Sequence, residues 1–96
     1  MPSYRCTLGI GMLHAGTEPR AVLPAAVAAA RELTTVEAWD LDVVRGEARI
    51  TVRFTAADDD EAFRVGAQAQ AAVARAADVR SPRLTRRRGS RWYPVR

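Results

Sequence analysis

Thr35-Val36-Glu37-Ala38-Trp39-Asp40-Leu41-Asp42-Val43-Val44 and Glu47-Ala48-Arg49-Ile50-Thr51-Val52-Arg53-Phe54-Thr55 flank the dipeptide Arg45-Gly46. Both runs alternate apolar and polar residues, the period-2 pattern of half-buried strands. A two-residue reversal at Arg45-Gly46 sets Val43 opposite Ala48, Leu41 opposite Ile50 and Trp39 opposite Val52. Side chains directly opposite in a hairpin point the same way, so these six share one face. Asp42 then meets Arg49, and Asp40 meets Thr51, on the other face. A slip of one residue would set the apolar side chains against outward Arg and Thr, so the register is specified. The apolar six are expected to turn toward helical cover.

Working outward, Tyr4, Cys6, Leu8, Ile10 and Met12 alternate with Arg5, Thr7, Gly9 and Gly11, which predicts a first strand. The segment from His14 to Pro19 reads as a loop with Thr17 as a candidate N-cap. Pro24 would break a helix interior, so the helix that follows is expected to be irregular before Pro24 and regular through Leu33, with Val22, Ala26, Ala29, Ala30 and Leu33 as its apolar stripe. Asp58 with Glu61 three positions on is an acidic capping box, and the acids suit the positive end of a second helix. Ala62, Phe63, Gly66, Ala69, Val73, Ala76 and Ala77 recur at helical spacing, small enough for close approach to a sheet. A short strand is expected around Arg83–Arg87, with Pro82 tolerable only at an edge or at the strand's first residue. The order strand, helix, hairpin, helix, strand predicts an α+β fold, a ferredoxin-like βαββαβ sandwich with two helices on one face of a four-stranded antiparallel sheet. That likeness is of fold only and implies no function. Residues 1–88 read as the domain, and 89–96 as a basic, aromatic tail or an extra strand.

The 96 residues include 15 arginines and no lysine, with 11 acids and a net charge of +4. Abundant Ala and Arg suit a GC-rich genome, so arginine content alone says little about nucleic acid. Its distribution says more: residues 1–79 hold 8 Arg against 11 acids, while 80–96 hold 7 Arg and no acid. The single cysteine excludes an internal disulfide and fits a reducing compartment. No apolar run is long enough to span a membrane, and no secretory leader is visible at the N-terminus, so a cytoplasmic location without membrane contact is the default.

Candidate sites are few. Gly9, Gly11 and Gly16 lack dinucleotide-binding spacing, and a chain without lysine has no Walker-type phosphate loop. Mid-strand glycines invite close approach by another group, so Gly9 and Gly11, with Thr51 and Arg53 on the same face, are expected to be covered by Trp92, Tyr93 or a second subunit. Cys6 and Met12 are separated by roughly 20 Å of strand and cannot share a metal, and His14 stands without a second histidine. Neither metal nor cofactor is expected; Cys6 reads as a core thiol and His14 as a loop residue. Glu37, placed inward opposite Phe54 by the hairpin register, is a candidate general acid or base with a raised pKa, or an ion-pair partner for an arginine.

The outward face would carry Arg5, Thr7, Arg49, Thr51, Arg53, Thr55, Arg83, Thr85 and Arg87. Central strands of that face lack the aromatics on which RNA-recognition motifs stack bases. The C-terminal cluster Arg83, Arg86, Arg87, Arg88, Arg91, Trp92 and Tyr93 joins phosphate-binding charge to stacking surface. The leading expectation is a non-enzymatic binding module that contacts nucleic acid or another acidic partner through this cluster. The alternatives are a homodimer or small-ligand binder using the sheet face, and a small enzyme centred on Glu37.

Overall fold

The computed structural model describes residues 1–95. Its elements are β1 (Ser3–Leu13), a 3-10 turn (Pro19–Ala21), α1 (Val22–Arg31), β2 (Val36–Val44), β3 (Glu47–Thr55), α2 (Asp59–Ala74), β4 (Ala77–Arg88) and β5 (Arg91–Pro94). The strands form one sheet in the order β2-β3-β1-β4-β5, and every neighbouring pair is antiparallel. The fold is α+β, with five strands where four were expected. The plain four-stranded ferredoxin-like sandwich is therefore not what forms. Gly89, at φ +60°, turns the chain back, Arg91–Pro94 pairs along β4, and Val95 enters the core. Arg96, the end of the expected segment 89–96, lies outside the described residues.

The hairpin register is the expected one: Trp39↔Val52, Asp40↔Thr51, Leu41↔Ile50, Asp42↔Arg49 and Val43↔Ala48. Arg45 and Gly46 both take positive φ, 53° and 79°, as a two-residue turn that follows strand twist requires. Burial departs from expectation. Val52 and Ile50 are buried, but Trp39, Leu41 and Val43 stay 49%, 57% and 64% exposed. They lie on the helix side, yet β2 is an edge strand beyond most of the helix layer. The Arg31 guanidinium, 4.9 Å from the Trp39 ring, supplies part of its cover.

The core sits between helices and central strands, where Tyr4, Cys6 and Leu8 of β1 and Ile50, Val52 and Phe54 of β3 meet Val22, Ala26, Val27 and Ala30 of α1 and Ala62, Val65, Ala69 and Val73 of α2. Val22, Ala26, Ala29 and Ala30 are buried as expected, but Leu33, beyond the end of α1, is 48% exposed. Pro24 is tolerated in the first turn, where amides have no intrahelical acceptor, and the 3-10 turn before it is the expected irregular entry. Thr17 does not cap it; the caps are Glu18 and Ala21, without side-chain bonds. Asp58 caps α2 by accepting the Glu61 amide at 2.9 Å. Gly66 faces Cys6 Sγ and Leu84 Cδ1, each 3.9 Å from where a Cβ would stand. Small residues do bring α2 onto the sheet.

β4 is longer than expected, and Pro82 is not its first residue; β5 pairs only with Thr85–Arg88, so at Pro82 the outer side of β4 is an edge, as expected. The register to β1 shifts between Thr7↔Arg83 and Gly9↔Arg80, with Ser81 at φ +47°. This bulge interrupts the ladder where proline cannot donate. The same bulge closes over Gly9. A Cβ there would stand 2.9 Å from the Arg80 carbonyl oxygen and 2.5 Å from Glu47 Oε1, while at Gly11 it would meet Arg80 Nε at 2.7 Å and Asp78 Cβ at 3.1 Å. Within the chain, Arg80, Glu47 and Asp78 make the close approach expected at these glycines, and Trp92 lines the same hollow as Gly9. Gly9→Ala should destabilise the fold by about 1–3 kcal/mol, because the β4 backbone must move; chemical denaturation of the two proteins measures it. An unchanged midpoint would mean the bulge is loose.

Candidate functional site

The face of the sheet opposite the helices is built from alternate residues of five strands. Arg5 and Thr7 come from β1, Asp40 and Asp42 from β2, Arg49, Thr51 and Arg53 from β3, Arg83, Thr85 and Arg87 from β4, and Trp92 from β5. Arg5 and Arg53 are directly opposite each other on adjacent strands. Like charges so placed repel. Trp92 relieves this: its ring lies 4.0 Å from the Arg5 guanidinium carbon and 5.3 Å from that of Arg53. Both cations are held over a negative π face, worth about 0.5–1 kcal/mol each when exposed.

Two shallow hollows flank this centre. One of about 370 Å³ is lined by Arg5, Thr7, Gly9, Arg49, Ser81, Arg83, Thr85 and Trp92. The other, about 310 Å³, is lined by Arg5, Thr7, Ala38, Trp39, Asp40, Thr51 and Arg53. Thr7 and Thr51 hydroxyls lie 3.3 Å apart between them. Carboxylates balance part of the charge. Glu37 accepts from Arg53 Nε at 3.2 Å, and Glu47 lies 3.9 Å from Arg49 and 3.7 Å from Arg80. Among the described residues Arg5 and Arg83 have no carboxylate partner, and Arg87 bonds only the Gly89 carbonyl, at 2.8 Å.

Glu37 is not inward. A bulge between Val36↔Phe54 and Ala38↔Arg53 takes it out of the alternation. Its carboxylate accepts from Ser3 Oγ at 2.8 Å and from Arg53 Nε. A general acid or base beside Phe54 has no structural basis.

The C-terminal cluster divides between two faces. Arg83, Arg87 and Trp92 join the open face. Arg86, Arg88, Arg91 and Tyr93 fall on the helix side by register. Arg86 Nη1 donates to Asp59 Oδ1 at 3.1 Å, and the same oxygen accepts from the Tyr4 hydroxyl at 2.6 Å. Tyr4 stacks on Phe54, with ring centroids 5.9 Å apart. This bridge from β1 through the first turn of α2 to β4 has no signal in local spacing, since its members lie far apart in the chain. Arg86 is therefore committed to the fold.

The remaining candidates are structural. Cys6 is buried against α2, and burial pushes its thiol up to about 12. His14 Nε2 lies 3.2 Å from Asp78 Oδ1 in the loop after β1. Among the described residues no three His, Cys, Asp or Glu side chains gather to hold a metal, and no helix is long and apolar enough to cross a membrane. Compared with known proteins, the chain matches no family model, no curated protein and no solved structure.

Burial, and after it the hydrogen bond to Asp59, raises the Tyr4 phenol from 10.0 to about 12. Its contribution to stability is complete below the unfolded value and disappears as pH climbs from 10 toward 12. The Tyr4 hydrogen bond, with help from Arg86, holds the Asp59 carboxyl below its usual 3.8, so its contribution is complete above that value and is lost as pH falls through the folded one. Tyr4→Phe should reduce the alkaline limb to the part owed to the buried Cys6 thiol, which is also raised, and shorten the acid one. Urea midpoints across pH measure both, and an alkaline limb unchanged by the substitution would deny Tyr4 this role.

Proposed function

We propose that this chain is a non-enzymatic binding module that holds the phosphate backbone of a single-stranded nucleic acid on its open sheet face. The supporting observation is the pair Arg5–Arg53, placed side by side on central strands and stacked on Trp92, with Arg83 and Arg87 beside them. Guanidinium forks match phosphate oxygens bidentately, and a fork laid flat on an aromatic ring loses little freedom on binding. Thr7, Thr51 and Thr85 add neutral donors in the hollows between. Bases splayed from a single strand can stack on the outer planes of the guanidinia, since the Trp92 face beneath is already taken. An open sheet suits a flexible strand better than a duplex, which would need a groove-shaped partner.

The scaffold is best regarded as a variation on the ferredoxin-like sandwich with β5 added. Antiparallel pairing throughout and both helices on one face support that reading. The lone buried thiol favours a reducing, cytoplasmic setting. A second subunit docking through this same face is disfavoured, because it would bring arginines against arginines.

Binding of a fluorescent oligothymidylate, titrated across salt concentrations, tests the proposal. Affinity should fall steeply with salt, and Arg5→Ala and Arg83→Ala should each flatten the slope of log K against log salt by about 0.7, the value for one lost phosphate contact on a single strand. Arg86→Ala should lower stability and leave the slope alone. A wild-type slope near zero, or slopes indifferent to Arg5 and Arg83, would remove the proposal.

A further inference from the structure

We infer that the free edge of β2 takes up an extended segment of a partner protein in which apolar and basic residues alternate. β2 ends the sheet, and among the described residues no strand neighbours its backbone groups on that side. The amide of Val43 lies outside the β3 ladder and donates to its neighbour Asp42 Oδ1 at 2.8 Å. In an antiparallel ladder successive residues alternate between the two edges, so Leu41 and Trp39 present their backbone groups on the same open side. Natural edges are usually blunted by proline, charged side chains or a bulge. Beyond the bulge at Val36/Ala38, the run from Trp39 to Val44 has neither proline nor bulge, and its only charges are the acids Asp40 and Asp42, whereas β5 at the opposite edge carries Arg91 and Pro94.

The side chains specify the occupant. Trp39, Leu41 and Val43 form an exposed apolar row on the helix side, and Asp40 and Asp42 stand on the other. A strand side chain serves both neighbours, so the strand already bound to β2 shows what its free edge accepts. On β3, Ala48, Ile50 and Val52 lie opposite the apolar row, with Arg49 opposite Asp42 and Thr51 opposite Asp40. A partner with that alternation would pair its backbone with β2, extend the apolar row and place cations beside the two carboxylates. A second copy of β2 fits poorly. Antiparallel self-pairing about Leu41 sets Asp40 of each strand against Asp42 of the other, and pairing about Asp40 sets the two Asp40 residues together. Nucleic acid is repelled by the same carboxylates.

The probe is a short, blocked peptide alternating valine and arginine, with the valine–glutamate peptide as control, each titrated into the full chain by fluorescence anisotropy. The arginine peptide should bind at least about tenfold more tightly than the glutamate peptide. Leu41→Pro should abolish binding while the far-ultraviolet circular dichroism is unchanged, because the Leu41 N–H points away from β3 and the carboxylates remain. Should Leu41→Pro unfold the chain, the double variant Asp40→Arg/Asp42→Arg decides the matter by reversing the preference between the two peptides. Equal binding of both peptides, or arginine-peptide binding that persists in folded Leu41→Pro, would overturn the inference. So would a wild-type dimer in light scattering that Leu41→Pro dissociates, since a second copy would then own the edge.

Discussion

β1 lies between β3 and β4, and the alternation of its side chains from Tyr4 to Leu8 divides the molecule into an apolar layer and a basic one; beyond Ile10 it breaks, leaving Met12 exposed and Leu13 against the core. Tyr4, Cys6 and Leu8 face the helices, while Arg5, Thr7 and Gly9 face away. Both neighbours are registered on this strand, so each residue fixes which of its partners belong to the core. Moving β1 by one residue would bury Arg5 among Phe54, Val65 and Val73 and expose Tyr4 and Leu8. An unpaired charge there costs several kcal/mol, far more than any surface contact could return. The Arg5–Arg53 juxtaposition follows directly: two central strands with inward aromatics at Tyr4 and Phe54 must present their neighbours Arg5 and Arg53 side by side. That repulsion is offset locally by Trp92 and Glu37.

What was legible in the sequence is what depends on near neighbours. The turn at Arg45-Gly46, the register across it, the alternation of β1 and the Asp58 cap of α2 each arise within a few residues, where periodicity and capping chemistry act. The inward expectation for Glu37 counted by twos through Val36/Ala38, where a bulge resets the parity. The arginine cluster failed as a unit for the same kind of reason. Arg86, Arg87 and Arg88 are adjacent in the chain, but a strand sends consecutive residues to opposite faces, and only the pairing with β1 decides which. Trp92 could not be assigned to the open face without β5, whose existence rests on a turn at Gly89 and on Val95 reaching the core.

The exposed row on β2 has a separate origin. α1 and α2 bury mostly alanine and valine, which brings the helices close to each other and to β1 and β3. Gln68 ties them together by donating to the Ala29 carbonyl at 3.0 Å and to Glu32 at 2.8 Å. A tightly drawn helix pair of this kind covers the central strands and leaves an outer strand with less shelter. Alternation alone could not reveal this, since it reports which side a residue faces and says nothing of how far the covering layer extends.

These two consequences of one sheet make its surfaces electrically distinct. The open face gathers Arg5, Arg49, Arg53, Arg83 and Arg87; of its acids, Glu37 and Glu47 are engaged with arginines, while Asp40 and Asp42 lie toward its β2 rim. At the β2 rim, Asp40 makes no ion pair among the described residues, and Asp42 holds only a backbone amide. Asp40 and Asp42 on β2 thus lie two strands, roughly 10 Å, from Arg5 on β1, comparable to the screening length at physiological salt. An anionic strand on the arginines and a cationic segment along β2 would each sit in a favourable field, and their opposite charges would attract across the gap. Binding at one site should consequently strengthen the other, with a coupling that fades as salt shortens the screening length.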